Sequence, residues 1–401
     1  MSFMRKFLGL AVLATCALLL ANLAPVAHGQ GDLLVTYNGT VKRIGVSVVS
    51  SSPELTALMQ GAFRIHGAFD VVPESQANYV LRFDQAGSGR VSVSVEPKIA
   101  GGQAIQTTGT GSDWRQAAYR AADAVVEKLT PYPGFFAGKL LFVLQKGKAR
   151  ELGTSDLLGK DGLQLTTDNS TSVHPRWSAD GTKFLYTGYY KSGFPDIIQY
   201  NLITKTKTTF AHFQGTNTGA VYSPDGKSVA MLITYNGTPQ LYVSDADGKN
   251  LHRLTSSVTL KSSPTWSPDS KHIIFSMDPG PQLYQISASG GSVQLVSARL
   301  PTYCADASWN PRDADRVAFM EQEPGGEFRI AVATLSSHST QVFDNAIGEK
   351  PCWANDGRHI IFTHHEKSGD MLEILDTVTM AVKILPTVRG ASDASFYYPG
   401  K

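Results

Sequence analysis

The sequence predicts an α/β N-terminal domain followed by a six-bladed all-β propeller that the C-terminal strand closes. Two observations lead to this fold class. Segments with Ser-Pro-Asp-Gly-like turns recur every 43 to 45 residues from residue 174 onward, and four short strands per period are typical of a propeller blade. Residues 43–130 instead alternate strand-like runs with two amphipathic helical patterns.

An aromatic residue occupies the same position in each repeat, followed by the turn and a second strand. In Ser-Pro-Asp-Gly, Pro224, Asp225 and Gly226 suit a type I turn. We expect the aromatic side chains to pack between blades, because one four-stranded sheet cannot cover both of its faces alone. The aromatic residues are Trp177, Tyr222, Trp266, Trp309, Trp353 and Phe396.

The ring is expected to close through both of its ends. Residues 154–166 match residues 243–255 at a constant offset of 89 residues, about two repeats. Residues 139–166 therefore supply the outer strands of a sixth blade that lacks its innermost strand. The C-terminal strand around Phe396 is predicted to complete that blade, which removes exposed sheet edges.

The N-terminal domain is predicted at residues 43–130 and a short linker at residues 131–138, with the propeller at residues 139–401. Ser52 is expected to cap a helix that starts at Pro53 and ends near Gly67. A second helix is expected at residues 114–129. Strands are expected at residues 42–49, 69–72, 79–83, 90–96 and 104–108.

The first 29 residues have the pattern of a cleavable export signal. A short basic region precedes an apolar stretch at residues 7–21, and small residues, Ala27 and Gly29, stand where a signal peptidase reads the chain. We expect cleavage after Gly29. A retained membrane anchor is the alternative, although the apolar stretch is short for a membrane span, and a lipoprotein signal around Cys16 is a weaker one.

Composition excludes several classes of protein. The chain has 401 residues, of which 42% are hydrophobic and 17% charged, with a formal net charge of +2. This hydrophobic content excludes a disordered chain. The charges form no long runs, so the sequence shows no electrostatic surface for nucleic acid or for an acidic membrane.

The order of these features resembles the TolB family, the periplasmic propellers of the Tol-Pal envelope system. The resemblance rests on KRIGVSVV at the start of the α/β domain, on VVEKLT at the end of its second helix, and on six blades with Ser-Pro-Asp-Gly turns. It implies a non-catalytic periplasmic binding protein that helps to hold and constrict the envelope during division. The implied partners are the peptidoglycan-associated lipoprotein and TolA. No membrane span is expected after cleavage, and the protein is expected to be a monomer.

The resemblance assigns TolA binding to the mature N-terminal segment, residues 30–42. Its apolar residues, Leu33, Leu34, Val35 and Tyr37, lie outside the helix and strand patterns. Such a segment could add a strand to the edge of a partner's sheet. A disordered or self-docked terminus is the alternative.

The resemblance assigns lipoprotein binding to the mouth of the propeller. The residues three positions before each aromatic are expected to ring the channel opening at the start of each innermost strand, and preceding residues to form a rim. The ring consists of His174, Gly219, Ser263, Asp306, Lys350 and Asp393; the rim includes Thr216, Asn217 and Ser262. Ordinary solvated loops are the alternative. Thr216 stands where family members often carry a histidine, and Asn310-Pro311-Arg312 replaces the usual turn in the fourth repeat.

An enzyme is not expected. The chain has no G-x-S-x-G elbow of a propeller-linked hydrolase. His174, Asp306 and Asp393 could supply metal ligands at the mouth, but they belong to the first, fourth and sixth blades, so neither a metal nor a cofactor is assigned. The alternative function is an exported propeller that binds carbohydrate or acts as a lyase or lactonase at its mouth. Cys304 and Cys352 are expected to be thiols, with a disulfide left open.

Overall fold

The computed structural model describes residues 36–37, 40–189, 193–296, 303–387 and 389–400. The expected export signal, together with Leu33, Leu34 and Val35, lies outside the described residues. Within these ranges, no helix has the length and apolar character needed to cross a membrane. The α/β domain and the propeller belong to one compact unit.

The α/β domain contains a five-stranded sheet and two helices. Strand order is β4-β3-β5-β6-β7; β3 is parallel to β4 and β5, and the other pairs are antiparallel. Two antiparallel strands of two residues each, β1 and β2, precede the sheet. The elements are β1 (Thr36–Tyr37), β2 (Thr40–Val41), β3 (Ile44–Ser50), α1 (Pro53–Ile65), β4 (Phe69–Val71), a 3-10 turn (Glu74–Gln76), β5 (Tyr79–Gln85), β6 (Arg90–Pro97), β7 (Ile105–Thr110) and α2 (Trp114–Leu129).

Both helices begin at side-chain caps. Ser52 Oγ accepts a hydrogen bond from the backbone nitrogen of Leu55 at 3.4 Å, as the sequence predicts. Asp113 caps α2 by accepting from the nitrogen of Gln116 at 3.0 Å. After α1 the chain turns at Gly67, whose φ of 75° favours glycine. This turn carries the chain directly into β4 against the propeller.

The propeller begins with the three outer strands of blade 6 and continues through blades 1 to 5. Blade 6 starts with β8 (Lys139–Lys146), β9 (Ala149–Asp156) and β10 (Leu163–Gln164). Blades 1 and 2 contain β11 (Ser172–Trp177), β12 (Lys183–Gly188), β13 (Asp196–Asn201), β14 (Thr206–Ala211), β15 (Asn217–Tyr222), β16 (Ser228–Tyr235), β17 (Thr238–Asp245) and β18 (His252–Arg253). Blades 3 to 5 contain β19 (Lys261–Trp266), β20 (His272–Met277), β21 (Gln282–Ser287), β22 (Gln294–Leu295), β23 (Cys304–Trp309), β24 (Arg316–Gln322), β25 (Phe328–Thr334), β26 (Ser339–Ile347), β27 (Glu349–Trp353), β28 (His359–Glu366), β29 (Gly369–Asp376) and β30 (Val382–Ile384).

The C-terminal strand β31 (Ala391–Tyr397) closes the ring. It pairs antiparallel with β8, with Phe396 opposite Leu140, and completes a four-stranded blade in the order β10-β9-β8-β31. The closure predicted from the repeat offset is thereby confirmed. Next to the strand, Tyr398 donates from its hydroxyl to Asp123 of α2 at 2.9 Å. The chain end therefore ties the propeller to the α/β domain as well as to itself.

The repeated aromatic residues join neighbouring blades. Trp266 donates from Nε1 to the carbonyl oxygen of Val221 in the preceding blade at 3.0 Å. Trp353 and Trp177 make the equivalent bond to the preceding blade, each at 3.1 Å. Trp309 differs, because its Nε1 donates to Ala314 of its own blade at 2.8 Å. This exception belongs to the repeat in which Asn310-Pro311-Arg312 replaces the usual turn.

The α/β domain packs against blades 5 and 6 on the side of the Ser-Pro-Asp-Gly-like turns. One buried apolar cluster includes Phe63 of α1, Phe136 of the linker, Leu158 of blade 6 and Leu372 of blade 5. The linker is fixed to α2, since Asp123 accepts from the backbone nitrogens of Phe136 and Ala137 at 2.7 and 3.1 Å. The opposite side of the propeller, where the innermost strands begin, faces away from this contact.

Candidate binding site in the propeller channel

All six innermost strands carry a β-bulge at the same place. In blade 1, for example, the register shifts between Val173 and Arg176, so two residues oppose one on the next strand. The first bulge residue has a φ between 49° and 64° in every blade. These residues are the expected channel ring: His174, Gly219, Ser263, Asp306, Lys350 and Asp393. Each is the second or third residue of its innermost strand, close to the strand start at which the sequence predicts it.

This backbone conformation is costly for most of the ring. Only Gly219 occupies the left-handed region freely, whereas each of the other five residues costs on the order of 1–2 kcal/mol there. The second bulge residue is proline in blades 1, 3 and 5, namely Pro175, Pro264 and Pro351. A bulge tolerates proline because the extra residue is left out of the ladder.

Blades 6 and 1 meet at a buried ion pair. Arg176 Nη1 lies 3.0 Å from Asp393 Oδ1, and the backbone nitrogen of His174 donates to Asp393 Oδ2 at 3.0 Å. Burial alone would raise the pKa of Asp393, but the positive charge of Arg176 outweighs it and holds that pKa well below its usual range. Asp393 is 1% exposed. Its expected place on an open recognition surface is therefore wrong, because its carboxylate is buried and bound to blade 1.

His174 is also turned inward. Burial lowers the pKa of its imidazole, which favours the neutral ring at pH 7. Its Nδ1 is buried and has no hydrogen-bond partner among the described residues. The sequence suggested His174, Asp306 and Asp393 as nominal metal ligands, but both oxygens of Asp393 are occupied by blade 1. These three residues are not assembled as a metal site.

All six blades line a cavity of about 120 Å³ in the channel, with most of the lining from blades 3 to 5. Ser263 Oγ donates to Asp306 Oδ1 at 2.5 Å across the boundary between blades 3 and 4. Lys350 lines the same cavity from blade 5, and its Nζ lies 3.7 Å from Glu349 Oε1. Arg176 reaches this cavity from blade 1, so the ring presents both signs of charge to one space.

A second cavity of about 350 Å³ lies further along the channel, toward the turns. Its lining includes the indoles of Trp177, Trp266, Trp309 and Trp353. Arg176 lines both cavities. Arg176 is not among the site residues predicted from the sequence, although its position directly before the repeat aromatic is a signal that could have identified it.

The three expected rim residues have different surroundings. Ser262 is exposed, and Thr216 is half-buried with its backbone nitrogen donating to Thr234 Oγ1 at 2.9 Å. Asn217 is fully buried and binds the loop before it, accepting from the nitrogen of Phe213 at 3.0 Å and donating to its oxygen at 2.8 Å. Asn217 is therefore a loop anchor, and the expectation that it forms part of the rim is wrong.

The N-terminal segment is described only in part. Tyr37 belongs to β1, where its backbone pairs with that of Thr40. Leu33, Leu34 and Val35 lie outside the described residues. Whether this segment binds a partner therefore stays a prediction.

The two cysteines of the expected mature chain are not joined in a disulfide. Cys304 is buried and Cys352 is partly buried. Burial raises the pKa of Cys304 to about 12, so its sulfur is protonated at neutral pH. The expectation of two thiols is confirmed, and the disulfide that the sequence left open is not formed.

A buried polar cluster lies between the two domains, and sequence reasoning did not find it. His66, His359 and Asp376 bring potential ligand atoms within 4.8 Å of one another, the one such group among the described residues. Hydrogen bonds already occupy much of it. His359 Nδ1 lies 2.6 Å from Asp356, and Arg358 binds Asp376 at 2.8 and 2.6 Å. A separation of 293 residues between His66 and His359 hides the cluster from any local pattern.

The comparisons with known proteins agree with this architecture. The family model described as the TolB beta propeller domain matches residues 126–397. The curated Tol-Pal system protein TolB of Bordetella pertussis is 32% identical over 190 residues, 47% of this chain and 43% of that protein. The chain thus matches less than half the length of these curated relatives.

Solved structures show the same fold. The crystal structure of TolB from Acinetobacter baumannii has a TM-score of 0.80 at 20% identity and covers 89% of this chain and 97% of that one. A chain of the nidogen/laminin complex has a TM-score of 0.54 at 9% identity and covers 65% of this chain and 98% of that one. The first match extends beyond the propeller to the α/β domain, whereas the second covers a smaller share. With the family model matched across the propeller, this chain belongs to the TolB family.

Proposed function

We propose that this protein is a non-catalytic periplasmic binding component of a Tol-Pal system. In this role it links the peptidoglycan-associated lipoprotein to TolA, and so supports outer-membrane integrity and envelope constriction during division. The observation that carries the proposal is the match to a solved TolB over 89% of this chain, which includes the α/β domain as well as the propeller. The nidogen/laminin chain, by comparison, covers 65% of this chain.

The geometry of the channel supports binding at the propeller mouth. Ser263, Asp306 and Lys350 line a cavity on the side of the ring that faces away from the α/β domain. Their strands are rigid, and rigid elements hold recognition groups more accurately than loops do. The mature N-terminal segment, which precedes β1, is the proposed TolA-binding element. An extended apolar segment of this kind suits strand addition to a partner.

A pull-down from detergent-solubilised envelopes tests both interfaces. We expect the mature chain to recover the lipoprotein and TolA. Asp306→Arg or Lys350→Glu should remove the lipoprotein and leave TolA bound, whereas deletion of residues 30–35 should do the reverse. The matched control is the exposed ion pair of Lys249 and Asp247, at 2.7 Å, whose reversal should change neither result.

A pull-down that recovers neither partner also has a defined interpretation. Recovery of neither envelope protein, together with stabilisation of the chain by sugars, would favour the alternative of a carbohydrate-binding or carbohydrate-cleaving propeller. Loss of both partners in every variant, including the control pair, would indicate misfolding. Thermal unfolding of each variant is therefore measured beside the pull-down.

A further inference from the structure

The channel cavity has room for a polar side-chain group. Its volume is about 120 Å³, and a cavity of about 10–15 Å³ already admits one water molecule. Asp306 and Lys350 line the cavity together with Arg176, Ser263 adds a hydroxyl group, and Pro264 and Pro351 form rigid parts of the wall.

Asp306 and Lys350 have opposite charges and line this one cavity without pairing with each other. No ion pair joins them among those of the described residues, and the ion-pair contact of Lys350 Nζ is with Glu349 at 3.7 Å. Asp306 uses Oδ1 to accept from Ser263. One wall of the cavity thus offers an N–H donor, and another offers a carboxylate acceptor.

The remaining charge of the ring is already balanced. Arg176 and Asp393 pair with each other at 3.0 Å, so neither has an uncompensated charge to offer a ligand. Within the lining, Lys350 and Asp306 contribute opposite formal charges, and Glu349, 3.7 Å from Lys350 Nζ, is not part of that lining. A carboxylate in the cavity would gain from Lys350 but face repulsion from Asp306, and an ammonium group would experience the reverse.

An uncharged amide satisfies both walls at once. Its carbonyl oxygen accepts from Lys350 Nζ, and its N–H donates to the carboxylate of Asp306. We infer that this cavity binds a single carboxamide group of the partner at the propeller mouth, the side chain of an asparagine or glutamine at the tip of a loop. The inference rests on the proposed function, since it names the chemical group that the lipoprotein would present there.

The site is preorganised to receive such a group. Asp306 and Lys350 both lie in the left-handed conformation, with φ of 52° and 54°, inside paired strands. The hydroxyl of Ser263 further orients Asp306 at 2.5 Å. Because the backbone of both residues and the carboxylate of Asp306 are held before binding, less conformational entropy is lost when the amide enters.

Calorimetry with the soluble domain of the lipoprotein from the same genome tests the inference. We expect Lys350→Met and Asp306→Asn each to weaken binding about 10-fold. The double variant should be no more than about threefold weaker than the poorer single variant, because both residues bind the same group. Lys249→Met with Asp247→Asn, on an exposed turn, is the matched control and should bind like the wild type.

Exchanging the two charges distinguishes most clearly between an uncharged and a charged partner group. Asp306→Lys with Lys350→Asp exchanges the positions of the carboxylate and the ammonium group. A partner amide can adapt to this exchange by rotating about its terminal torsion, which exchanges the positions of its C=O and N–H groups. The exchanged variant should therefore bind far better than either single reversal and come within about 10-fold of the wild type. A charged partner group could not adapt in this way, so failure of the exchange in a folded variant would overturn the inference.

A small probe separates this inference from the proposed function. N-acetylglutamine amide at millimolar concentration should shift the NMR signal of the Lys350 ammonium group, and N-acetylglutamate amide should do so less. If the lipoprotein does not bind but this preference holds, the proposed partner is wrong and the amide site stands. If the lipoprotein binds but the two single variants lose binding free energy additively, the amide site is wrong. It is also wrong if the glutamate probe is preferred.

Discussion

His359 Nε2 lies 2.7 Å from the backbone oxygen of His66, and this hydrogen bond connects the propeller to the α/β domain. His359 Nδ1 lies 2.6 Å from a carboxylate oxygen of Asp356. Beside it, Arg358 binds Asp376 at 2.8 and 2.6 Å. Phe135 of the linker stacks on the His359 ring, with centroids 4.3 Å apart.

His359→Ala should destabilise the protein strongly. The substitution removes the imidazole from a fully buried cluster and leaves Asp356 without its partner, and breaking a buried pair costs about 3–5 kcal/mol. Chemical unfolding followed by tryptophan fluorescence measures the change. His252→Ala, at an exposed histidine, serves as the control and should change the free energy of unfolding by less than about 0.5 kcal/mol. Equal effects of the two substitutions would contradict this account of the cluster.

His66→Phe should reduce the amount by which the free energy of unfolding falls between pH 7 and pH 5. Burial, with His359 and Arg358 adding to it, lowers the pKa of His66 well below its usual value of 6.5. The folded state therefore binds this proton less readily than the unfolded state, and the contribution is lost as the pH falls below about 6.5, by up to about 1.4 kcal/mol per pH unit. The readout is the difference in free energy of unfolding between variant and wild type from pH 7 to pH 5.

The variant must be compared with the wild type because other buried groups also make the free energy of unfolding depend on pH. Burial raises the pKa of Asp123 to about 7, so its contribution increases as the pH falls from 7 toward 4. Asp376 contributes in a lower range. Burial would raise its pKa, but His359 and Arg358 hold it well below normal, so its contribution is lost only below about pH 4. A His66→Phe curve parallel to the wild-type curve between pH 7 and pH 5 would exclude His66 as the group responsible.

Deletion of residues 394–401 should destabilise the whole propeller. The deletion removes most of β31, which pairs with β8, and removes Tyr398, which binds Asp123. We expect a loss of more than about 3 kcal/mol, as for other disruptions of a buried core. A truncated chain with the wild-type unfolding midpoint would contradict closure by this strand.

Tyr398→Phe isolates the contact between the chain end and α2. It removes one hydroxyl that donates to Asp123, which is 3% exposed, and should cost about 1–3 kcal/mol because the acceptor stays buried. Tyr235→Phe, at an exposed tyrosine, is the control and should be neutral. Calorimetric unfolding of the two variants gives the comparison.

Substitutions at two tryptophans should distinguish hydrogen bonds between blades from hydrogen bonds within a blade. Trp266→Ala should cost about 3–5 kcal/mol as a large-to-small change in the core. In Trp266→Phe, loss of the bond to Val221 leaves a carbonyl unsatisfied at the blade boundary. Trp309→Phe is the matched comparison, since Trp309 donates within its own blade. We expect the Trp266 variant to show the broader unfolding transition, because only it loses a link between blades.

The period of the repeat made much of the fold predictable from sequence. The spacing of Trp177, Tyr222 and Trp266 sets the blades, and the offset between residues 154–166 and 243–255 identifies the closing blade. The helix cap at Ser52 and the ends of strands could be predicted because capping and turn residues act on their immediate neighbours. Asn217 was misplaced because a buried asparagine that anchors a loop looks, in sequence, like any polar loop residue.

The number of blades, their closure and the domain order can be predicted from the sequence alone, because periodicity and turn chemistry act over a few residues and repeat. Which groups meet depends on the folded chain. Arg176 and Asp393 are 217 residues apart, and His66 and His359 are 293 apart, yet both pairs form where separate elements converge. The left-handed bulges at Asp306 and Lys350 depend on how strands crowd around the channel axis. Local sequence patterns do not encode that geometry, and so the chemistry of the channel appears only once the ring is assembled.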